Sequence, residues 1–565
     1  MNFGALFANG RAWLSSNCPQ SIIALRTYNT RTFVADLIAG ITVGLVALPL
    51  AMAFAISSNV PPESGLYCAV IAGFLISALG GSMTQIGGPT GAFVVVVAGI
   101  VQKHGIDGLF MTTMMAGVLL FALGATGLGT AVKFIPRPVV IGFTNGIAIL
   151  IASTQIKDFL GLKIEHVPGE FAPRMTALSG HLNSISPSAT LLATASLIGI
   201  LILSKFTKRV PGSILALILG TAAVAAFHLP VETIGSRFGG IPQGLPQLKV
   251  PSFRMDLLLP LLSPVLTVTM LGAIESLLSA VVSDRMSGKT HNPNTELMAQ
   301  GVANIASPLF GGLPATGAIA RTATNVRSGA QTPIAGMVHA ITLLIILLCG
   351  ASLSKQIPLA VLSAILIVVA YNMGEWSEIP EIVRAGKAPA AVWLITVSLT
   401  VFADLTVAVE AGMILAMFLY VHRVSATTSV DLVTEEYIEE GKRHSLQAVE
   451  IPSGVAIFRI HGPFLFGATD KLAVVEAQLN ELPDVVVFRL RNMTAIDTTG
   501  LRALHDVAVK LKNSGRHLIL CGARTQPAKI IAGSELEKSI GKENICTHLH
   551  DAVQRATELL KEKSG

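Results

Sequence analysis

Two glycine-rich motifs have the composition of a backbone anion site. Residues 87–92 read Gly-Gly-Pro-Thr-Gly-Ala, and residues 311–318 read Gly-Gly-Leu-Pro-Ala-Thr-Gly-Ala. Because proline lacks a backbone N–H and glycine resists ordering, each motif is expected to end one helix and start another. A helix that starts inside a membrane exposes unpaired N–H groups and about half a positive elementary charge. Two such starts facing each other could bind an anion without a metal ion.

The candidate anion ligands are the small residues with which each new helix begins. Glycine and alanine let an oxyanion approach the backbone, whereas larger side chains would block it. Matching interruptions in two halves of a hydrophobic chain are typical of transporters built from repeats, which hold the substrate between broken helices. The candidate ligands are Thr90, Gly91 and Ala92 in the first motif and Thr316, Gly317 and Ala318 in the second.

Arg321 could add a full positive charge to this site. It follows Thr316 by five residues, a rise of about 7.5 Å along a helix, so its guanidinium can reach back toward the helix start. Arginine makes bidentate contacts with carboxylates and tetrahedral oxyanions, which lysine does not match. The alternative interpretation is that Arg321 snorkels to the cytoplasmic surface, as we expect for Arg327.

Glu275 is the second charge within a hydrophobic segment, which spans residues 267–280. An ionised carboxylate at membrane depth is costly, so it is expected to pair, to bind a cation or to take up a proton. We interpret Glu275 as a proton site: protonation removes a charge that would repel the anion and thereby couples anion entry to proton entry. A permanent ion pair with Arg321 is one alternative. A sodium site is another, although it needs more oxygen ligands than one glutamate provides.

The elements that must position these residues are membrane helices. The 565-residue chain is 52% hydrophobic and only 13% charged, which indicates a polytopic protein embedded in a lipid bilayer. Fourteen segments, seven per half, fit the pattern. His339 and Asn145, which also lie in hydrophobic segments, are interpreted as core residues with satisfied hydrogen bonds. Apolar runs of about 20 residues, the length that spans a bilayer, occur at 34–56, 109–128, 139–160, 190–204, 214–229, 259–282, 334–353 and 392–421.

The distribution of positive charge predicts that both termini are cytoplasmic. The first 31 residues also lack the apolar core and cleavage site of a secretory signal peptide. The basic residues assigned to cytoplasmic segments are Arg11, Arg26, Arg31, Lys133, Arg137, Lys205, Lys208, Arg209, Arg285, Lys289, Arg384, Lys387 and Arg423.

The cysteines and the net charge exclude several other classes of protein. The five cysteines form no close pair and no metal-ligand spacing in the sequence, so we expect no metal site, no cofactor and no disulfide framework. A net charge of +6 is modest for a membrane protein with basic inner loops and does not indicate a nucleic-acid partner.

A soluble domain is expected after the membrane segments. Strands are predicted at 455–460, 485–490 and 518–521, and amphipathic helices at 472–482 and 499–512, which indicates a small α/β domain. The predicted division is an N-terminal cytoplasmic arm over residues 1–30, a transmembrane domain over 31–429 and a cytoplasmic domain over 430–565. Before the second helix, residues 497–501 read Asp-Thr-Thr-Gly-Leu, where Asp497 or Thr498 could cap the helix.

The Asp-Thr-Thr-Gly-Leu turn resembles the STAS domain, which anti-sigma-factor antagonists share with the SulP/SLC26 anion transporters. The membrane motifs agree with the second of these families. Residues 47–55 (Ala-Leu-Pro-Leu-Ala-Met-Ala-Phe-Ala) resemble its first helix, 88–90 its third and 316–325 its tenth, so the resemblance runs from about Arg31 to the end of the chain.

This resemblance implies a fold of fourteen helices in two inverted repeats, followed by a STAS domain, and assembly as a homodimer. In the family an arginine at the position of Arg321 is a recurring anion-binding element. A core carrying both half-helices moves against a flatter gate. In the antagonists the second hydroxyl residue of the turn is phosphorylated; it corresponds to Thr499, where threonine replaces serine, so Thr499 is a candidate regulatory residue and the STAS domain could bind a regulatory partner.

The predicted function is secondary active anion transport, with proton-coupled uptake of a C4-dicarboxylate or sulfate across the plasma membrane, the inner membrane of a bacterium. Leu50, where many relatives have glutamine, together with Glu275 and Arg321 resembles bacterial proton-coupled dicarboxylate carriers. Sulfate is the close alternative, and sodium-coupled bicarbonate transport is the third. An anion channel on the same fold and a STAS-based membrane signalling scaffold are further alternatives. The sequence shows no combination of a nucleophile and a general base that would indicate an enzyme.

Overall fold

The computed structural model describes residues 17–129, 136–164, 167–206, 212–240, 244–248, 254–403, 405–433, 451–479 and 481–564. The chain forms two compact units, Met1–Met413, called the membrane unit below, and Ile414–Gly565, called the C-terminal unit. The longest segments outside the described residues are residues 1–16 of the predicted N-terminal arm and residues 434–450 of the predicted C-terminal domain. Lys133, Lys208 and Arg209, which were assigned to cytoplasmic segments, also lie outside the described residues.

The first half of the membrane unit begins with a short helix and a long one whose start is capped. The Asn29 side chain accepts a hydrogen bond from the backbone N–H of Thr32 (2.9 Å), which satisfies one free donor of the first turn. Gly105, with a φ of 71°, interrupts the fourth helix and divides it into two segments. The helices are α1 (Gln20–Leu25), α2 (Thr30–Ser57), α3 (Pro62–Leu79), α4 (Val94–Ala125), α5 (Arg137–Leu160), α6 (Phe171–Gly180), α7 (Pro187–Phe206), α8 (Gly212–Phe227) and α9 (Ile234–Phe238).

The second half repeats the order of the first half: two long helices precede the glycine-rich motif, and further helices follow it. Its helices are α10 (Leu262–Ser287), α11 (Pro293–Leu309), α12 (Ile319–Arg327), α13 (Ile334–Ser354), α14 (Leu359–Met373), α15 (Ile379–Arg384), α16 (Lys387–Phe402) and α17 (Leu405–Ala426). With α4 counted as two segments, the described chain has seven segments in each half: α2, α3, both parts of α4, α5, α7 and α8, and then α10 to α14, α16 and α17.

The packing of the helices relates the two halves to each other. The second segment of each half packs on the fourth segment of the other: α3 contacts α13, and α11 contacts the second part of α4. Within the described residues, six helices are long and apolar enough to cross a membrane, and several shorter apolar helices accompany them. The predicted membrane fold of two seven-segment repeats is therefore confirmed.

Small residues allow the helices of the two halves to approach closely. A Cβ atom on Gly117 of α4 would lie only 2.8 Å from the carbonyl oxygen of Gly301 on α11. A Cβ on Gly40 of α2 would lie 2.6 Å from Cβ of Val338 on α13. Such small-residue contacts are typical of helix packing in lipid, where van der Waals contact replaces the hydrophobic driving force between helices.

The C-terminal unit contains a five-stranded sheet with helices, as predicted. Two short strands, β1 (Gly87–Gly88) and β2 (Thr316–Gly317), precede this unit in the chain. The strands of the sheet are β3 (Ser429–Leu432), β4 (Val455–Phe464), β5 (Val485–Ile496), β6 (His517–Cys521) and β7 (Ile545–Cys546). They lie in the order β3-β4-β5-β6-β7; β3 is antiparallel to β4, and the other neighbours are parallel. Phe458 and Phe488 pack edge to face in the core, with ring centroids 6.0 Å apart. The helices of this unit are α18 (Ala473–Ala477), α19 (Thr498–Asn513), α20 (Thr525–Ile531), α21 (Glu535–Ile540) and α22 (Leu549–Ser564).

Two local features of this unit refine the sequence predictions. The helix expected over 472–482 ends at Ala477, and Pro483 disfavours helical conformation in the residue before it. At the predicted turn, Asp497 caps α19 by accepting from the N–H of Gly500 (2.7 Å) and also accepts from the N–H of Phe466 (3.0 Å). Thr499 is exposed in the first turn of α19.

The sheet also brings together two cysteines that are distant in sequence. Cys521 on β6 is the register partner of Cys546 on β7, and both are free thiols. Burial raises the pKa of Cys521 to about 12. The sequence spacing did not predict this neighbourhood, because it arises from the parallel pairing of two strands.

Candidate anion site

The two glycine-rich motifs meet in the centre of the membrane unit. Strand β1 (Gly87–Gly88) pairs antiparallel with β2 (Thr316–Gly317), so that Gly87 lies opposite Gly317 and Gly88 opposite Thr316. After β1 the chain forms a 3-10 turn over Gly91–Phe93 that leads into α4, and after β2 it enters α12. Because the strands are antiparallel, the two helices begin at opposite ends of one short ladder.

The first helix start has the free donors that the sequence predicted. Thr90 is the N-cap in an extended conformation (φ −128°, ψ 160°), and its buried hydroxyl has no hydrogen-bond partner among the described residues. The N–H groups of Gly91 and Ala92 open the turn, where no carbonyl of the same helix precedes them. A Cβ on Gly91 would lie 2.8 Å from Cδ1 of Ile151 and 3.0 Å from Sδ of Met373, so residues of α5 and α14 cover this helix start.

The second helix start differs from the predicted one. The N–H of Gly317 donates to Oγ of Ser276 (3.1 Å), and the N–H of Ala318 donates to the carbonyl of Ile86 (2.8 Å). The Thr316 hydroxyl also bonds to Oγ of Ser276 (2.7 Å). Thr316 and Gly317 therefore form a paired strand, Ala318 is the N-cap, and α12 begins at Ile319. The free donors of this end are the N–H groups of the first turn, beginning with Ile319.

Buried polar side chains hold the ladder in place. The Thr322 hydroxyl accepts from the N–H of Ile86 (3.0 Å) and bonds to Oγ of Ser279 (3.0 Å). Asn304 accepts from the N–H of Ala315 and donates to its carbonyl, both at 2.8 Å. These hydrogen bonds satisfy backbone N–H and C=O groups outside the helices, to which lipid could not hydrogen-bond. Sequence reasoning missed Ser276, Ser279 and Asn304, which carry no distinctive motif.

Arg321 reaches back to the first motif. It is 2% exposed, and its Nη2 donates to the carbonyl of Pro89. Its Nη1 has no acceptor in the part of the chain that the structure describes. A Cβ on Gly88, which has a φ of 139°, would lie 2.8 Å from this nitrogen. The snorkelling alternative for Arg321 is therefore wrong for this structure, whereas Arg327 is exposed.

Glu275 lies on α10 directly before Ser276, which anchors β2. Its side chain is buried, and the described residues offer it neither a hydrogen bond nor an ion pair. The permanent Glu275–Arg321 ion pair weighed from the sequence is thus not present in this structure.

Of the two other polar residues, one is satisfied as expected and one is not. Asn145 accepts from Nε1 of Trp393 (2.8 Å) and donates to the carbonyl of Gly374. Both ring nitrogens of His339 are buried without a partner among the residues described. The expectation for His339 is therefore wrong in this structure.

Comparison with known proteins identifies the family to which the chain belongs. Residues 33–396 match the sulfate permease family, and residues 447–552 match the STAS domain. The chain belongs to the sulfate permease family. This membership confirms the predicted relation to SulP/SLC26 transporters with a C-terminal STAS domain.

Relatives and solved structures agree along almost the whole chain. YvdB of Bacillus subtilis (strain 168), named as a candidate sulfate transporter, is 40% identical over 528 residues, covering 93% of this chain and 98% of that protein. The bicarbonate transporter BicA of Picosynechococcus sp. is 31% identical over 537 residues, covering 92% and 94%. The inward-facing structure of murine Slc26a9 superposes with a TM-score of 0.86 at 17% identity, covering 97% and 95%, and shows the shared fold.

These findings establish the class of the protein. It is a multi-pass membrane protein and an anion transporter of the sulfate permease family. Its relatives are transporters rather than enzymes, as the sequence predicted.

Proposed function

We propose that this protein is a secondary active transporter that takes up a small dianion, a C4-dicarboxylate or sulfate, together with protons. The observation that carries the proposal is the buried guanidinium of Arg321, whose Nη1 has no acceptor among the described residues. An unpaired buried charge is strongly unfavourable, so a bound anion would supply the missing partner.

The charge of the site favours a dianion. Each helix start contributes about half a positive elementary charge, and Arg321 contributes a full one, so the site carries about two positive charges. The Thr90 hydroxyl and the N–H groups of Gly91 and Ala92 would bind one side of the anion. The first turn of α12, after Thr316, Gly317 and Ala318 have formed its strand and cap, would bind the other side.

Glu275 is the proposed proton site. Its carboxyl group is buried without a counter-ion in the described chain and lies next to the residue that anchors β2. Ionised, it would be costly at this depth and would repel an approaching anion, so protonation and anion binding favour each other. Sodium is the alternative coupling ion, but one carboxylate provides few of the oxygen ligands that a sodium site would need.

Transport would proceed by alternating access. The helices that carry the ladder, α2 to α4 and α10 to α13, pack mainly on one another, whereas α5, α7, α14 and α16 form a second packed group. The second group covers the helix start at Gly91 with Ile151 and Met373. Movement of the first group, the core, against the second, the gate, would uncover the anion on one side at a time.

The remaining assignments follow from the family. We propose a homodimer in the plasma membrane with both termini cytoplasmic, divided into an arm (1–30), a transmembrane domain (31–429) and a STAS domain (430–565). Thr499, exposed at the start of α19, is a candidate site of regulation or of contact with a regulatory partner of the STAS domain.

Uptake by the purified protein in liposomes tests this function. Labelled sulfate, succinate and bicarbonate would be offered separately under an imposed proton gradient, an imposed sodium gradient and no gradient. We expect proton-driven accumulation of succinate or sulfate. Sodium-driven bicarbonate uptake would instead favour the third alternative, with bicarbonate, the ion in the name of BicA, as the substrate.

Two further outcomes would refute a carrier. Currents far above carrier turnover rates would indicate a channel on the same fold. Absence of uptake of any anion, with partner binding by the STAS domain, would favour a signalling scaffold.

A further inference from the structure

The short helix α1 buries its small residues and exposes its large apolar ones. Ser21 and Ala24 are buried, whereas Ile22, Ile23 and Leu25 are 51%, 39% and 61% exposed. A helix on an aqueous surface normally turns its large apolar side chains toward the protein core. Contiguous exposed apolar side chains mark a surface that contacts a membrane or another protein. The outer face of α1 is therefore a candidate contact surface.

Hydrogen bonds hold α1 at the end of a membrane-spanning helix. The N–H of Gln20 donates to the carbonyl of Gly80 (3.0 Å), and the Ser21 hydroxyl donates to the carbonyl of Ala78 (2.5 Å). The helix that these residues follow or end, α3, has 18 residues and is therefore about 27 Å long. The hydrocarbon core of a bilayer is about 30 Å thick, so this end of α3, and α1 with it, belongs at the membrane boundary.

The lipid-facing surface of the protein begins just after α1. Along α2, exposed apolar residues recur at the spacing of one helix face: Val34, Ile38, Ile41 and Leu45. Since α2 is long and apolar enough to span the membrane, this face contacts lipid. Residues 26–29 alone separate α1 from α2. The bilayer is therefore the apolar phase nearest in the chain to the exposed side chains of α1.

The charge of this part of the chain complements an acidic membrane surface. The first acidic residue is Asp36, whereas the residues before it include Arg11, Arg26 and Arg31. Asp36 is itself buried and accepts from the N–H of Thr332 (3.1 Å). Arg26 and Arg31 are exposed, and neither forms an ion pair within the described part of the chain. Two arginines beside an apolar helix face are thus accessible to an external anion.

We propose that α1 is an interfacial anchor that binds acidic phospholipids. Ile22, Ile23 and Leu25 enter the boundary between headgroups and acyl chains, as in other helices that lie in the membrane interface. Arg26 and Arg31 bind the phosphate groups of anionic lipids, which a guanidinium can contact through two parallel hydrogen bonds. Only the assignment of this leaflet as cytoplasmic rests on the proposed function and its orientation of the termini.

Lipid binding by the full-length protein in neutral detergent tests the role of the arginines. Native mass spectrometry compares phosphatidylglycerol with phosphatidylcholine for the wild type and for Arg26→Gln/Arg31→Gln. Each arginine near an anionic surface should contribute about fivefold in affinity, so the double variant should bind phosphatidylglycerol about 25-fold more weakly and phosphatidylcholine unchanged. The matched control, Arg491→Gln/Arg502→Gln, alters two exposed arginines of the C-terminal unit and should bind like the wild type.

Fluorescence quenching in liposomes tests the depth of the apolar face. Leu25→Trp is reconstituted in phosphatidylcholine and phosphatidylglycerol, with a phosphatidylcholine brominated in its acyl chains as the quencher. We expect the fluorescence added to that of the three native tryptophans to be quenched. The matched control is Val474→Trp, another exposed apolar position, on α18 of the C-terminal unit, whose added fluorescence should not be quenched.

The proposal stands if phosphatidylglycerol binding falls in Arg26→Gln/Arg31→Gln and the tryptophan at position 25 is quenched by lipid. Equal phosphatidylglycerol affinity in the wild type and this variant overturns it. So does a tryptophan at position 25 that is shielded from both brominated lipid and aqueous iodide, which would indicate contact with protein, such as a second copy of the chain. Binding of glycerol 3-phosphate as tight as that of phosphatidylglycerol would show an anion site without lipid. None of these measurements uses a transported anion, so their outcome is separate from that of the uptake assay.

Discussion

Substitution of Arg321 is the most direct test of the anion site. Arg321→Ala removes the full charge and the free Nη1 donor while leaving the β1–β2 ladder in place, because no bond within the ladder depends on this side chain. A hydrogen bond to a charged group contributes about 1.5–3 kcal/mol, and about 1.4 kcal/mol corresponds to tenfold in Kd. We therefore expect the affinity for the transported anion to fall by about 10- to 100-fold.

The same substitution should have little effect on folding. The carbonyl of Pro89 loses its donor, which costs about 1–3 kcal/mol. Against this, the variant no longer buries a guanidinium that has no counter-ion in the described part of the chain, a burial that is itself unfavourable. Since the two effects oppose each other, we expect expression, dimer mass and unfolding temperature close to those of the wild type.

The assay is calorimetric binding of sulfate and succinate to purified wild type, Arg321→Ala and Arg321→Lys. Arg321→Lys restores charge without the bidentate geometry and should give intermediate affinity. The control is Arg327→Ala on the same helix, where the side chain is exposed and binding should not change. Wild-type affinity in Arg321→Ala, or an equal loss in Arg327→Ala, would refute the reasoning.

Four further predictions concern proton coupling by Glu275, the space around Gly91, the role of the C-terminal domain and the reactivity of the Cys521 thiol. Glu275→Gln should permit anion exchange but abolish proton-driven accumulation in liposomes; accumulation against a gradient would exclude Glu275 as the coupling residue. Gly91→Ala should slow transport, because its Cβ would contact Ile151 and Met373, whereas Gly99→Ala on the same helix meets open space and should be neutral in the same flux assay. Deletion of the chain after Val430 should preserve anion affinity but lower transport rate or dimer mass; lost affinity with an unchanged dimer would contradict this division. Because the Cys521 pKa is raised from 9.0 to about 12, its thiolate fraction at pH 8 is about three powers of ten lower than for an ordinary cysteine, so mass spectrometry should find it unalkylated by iodoacetamide until the domain unfolds.

The sequence predicted those parts of the site that depend on local chemistry. Glycine and proline marked both helix interruptions, and the first of them begins at Thr90 as expected. The order of strands and helices in the soluble domain also followed from local patterns, and Asp497 caps its helix as its position suggested.

The parts that could not be predicted depend on contacts between distant residues. The N–H groups of Gly317 and Ala318 were expected to be free, but they donate to Ser276 and Ile86, because the two motifs pair as strands. No local signal encodes this pairing between segments more than 200 residues apart in the chain. The same holds for His339, whose lack of partners depends on how α13 packs on α3.

The paired strands would let the proposed anion site be firmly built and still release its ligand. Ser276, Thr322 and Asn304 satisfy the backbone of the ladder, so its geometry does not depend on bound anion. Among the side-chain donors of this site, the Thr90 hydroxyl and Nη1 of Arg321 have no acceptor within the described protein. An anion bound at the proposed site would therefore replace no internal bond on binding and would leave none broken on departure. Affinity would then be set by charge, which protonation of Glu275 would change, and in this proposal that change lets a proton gradient drive uptake.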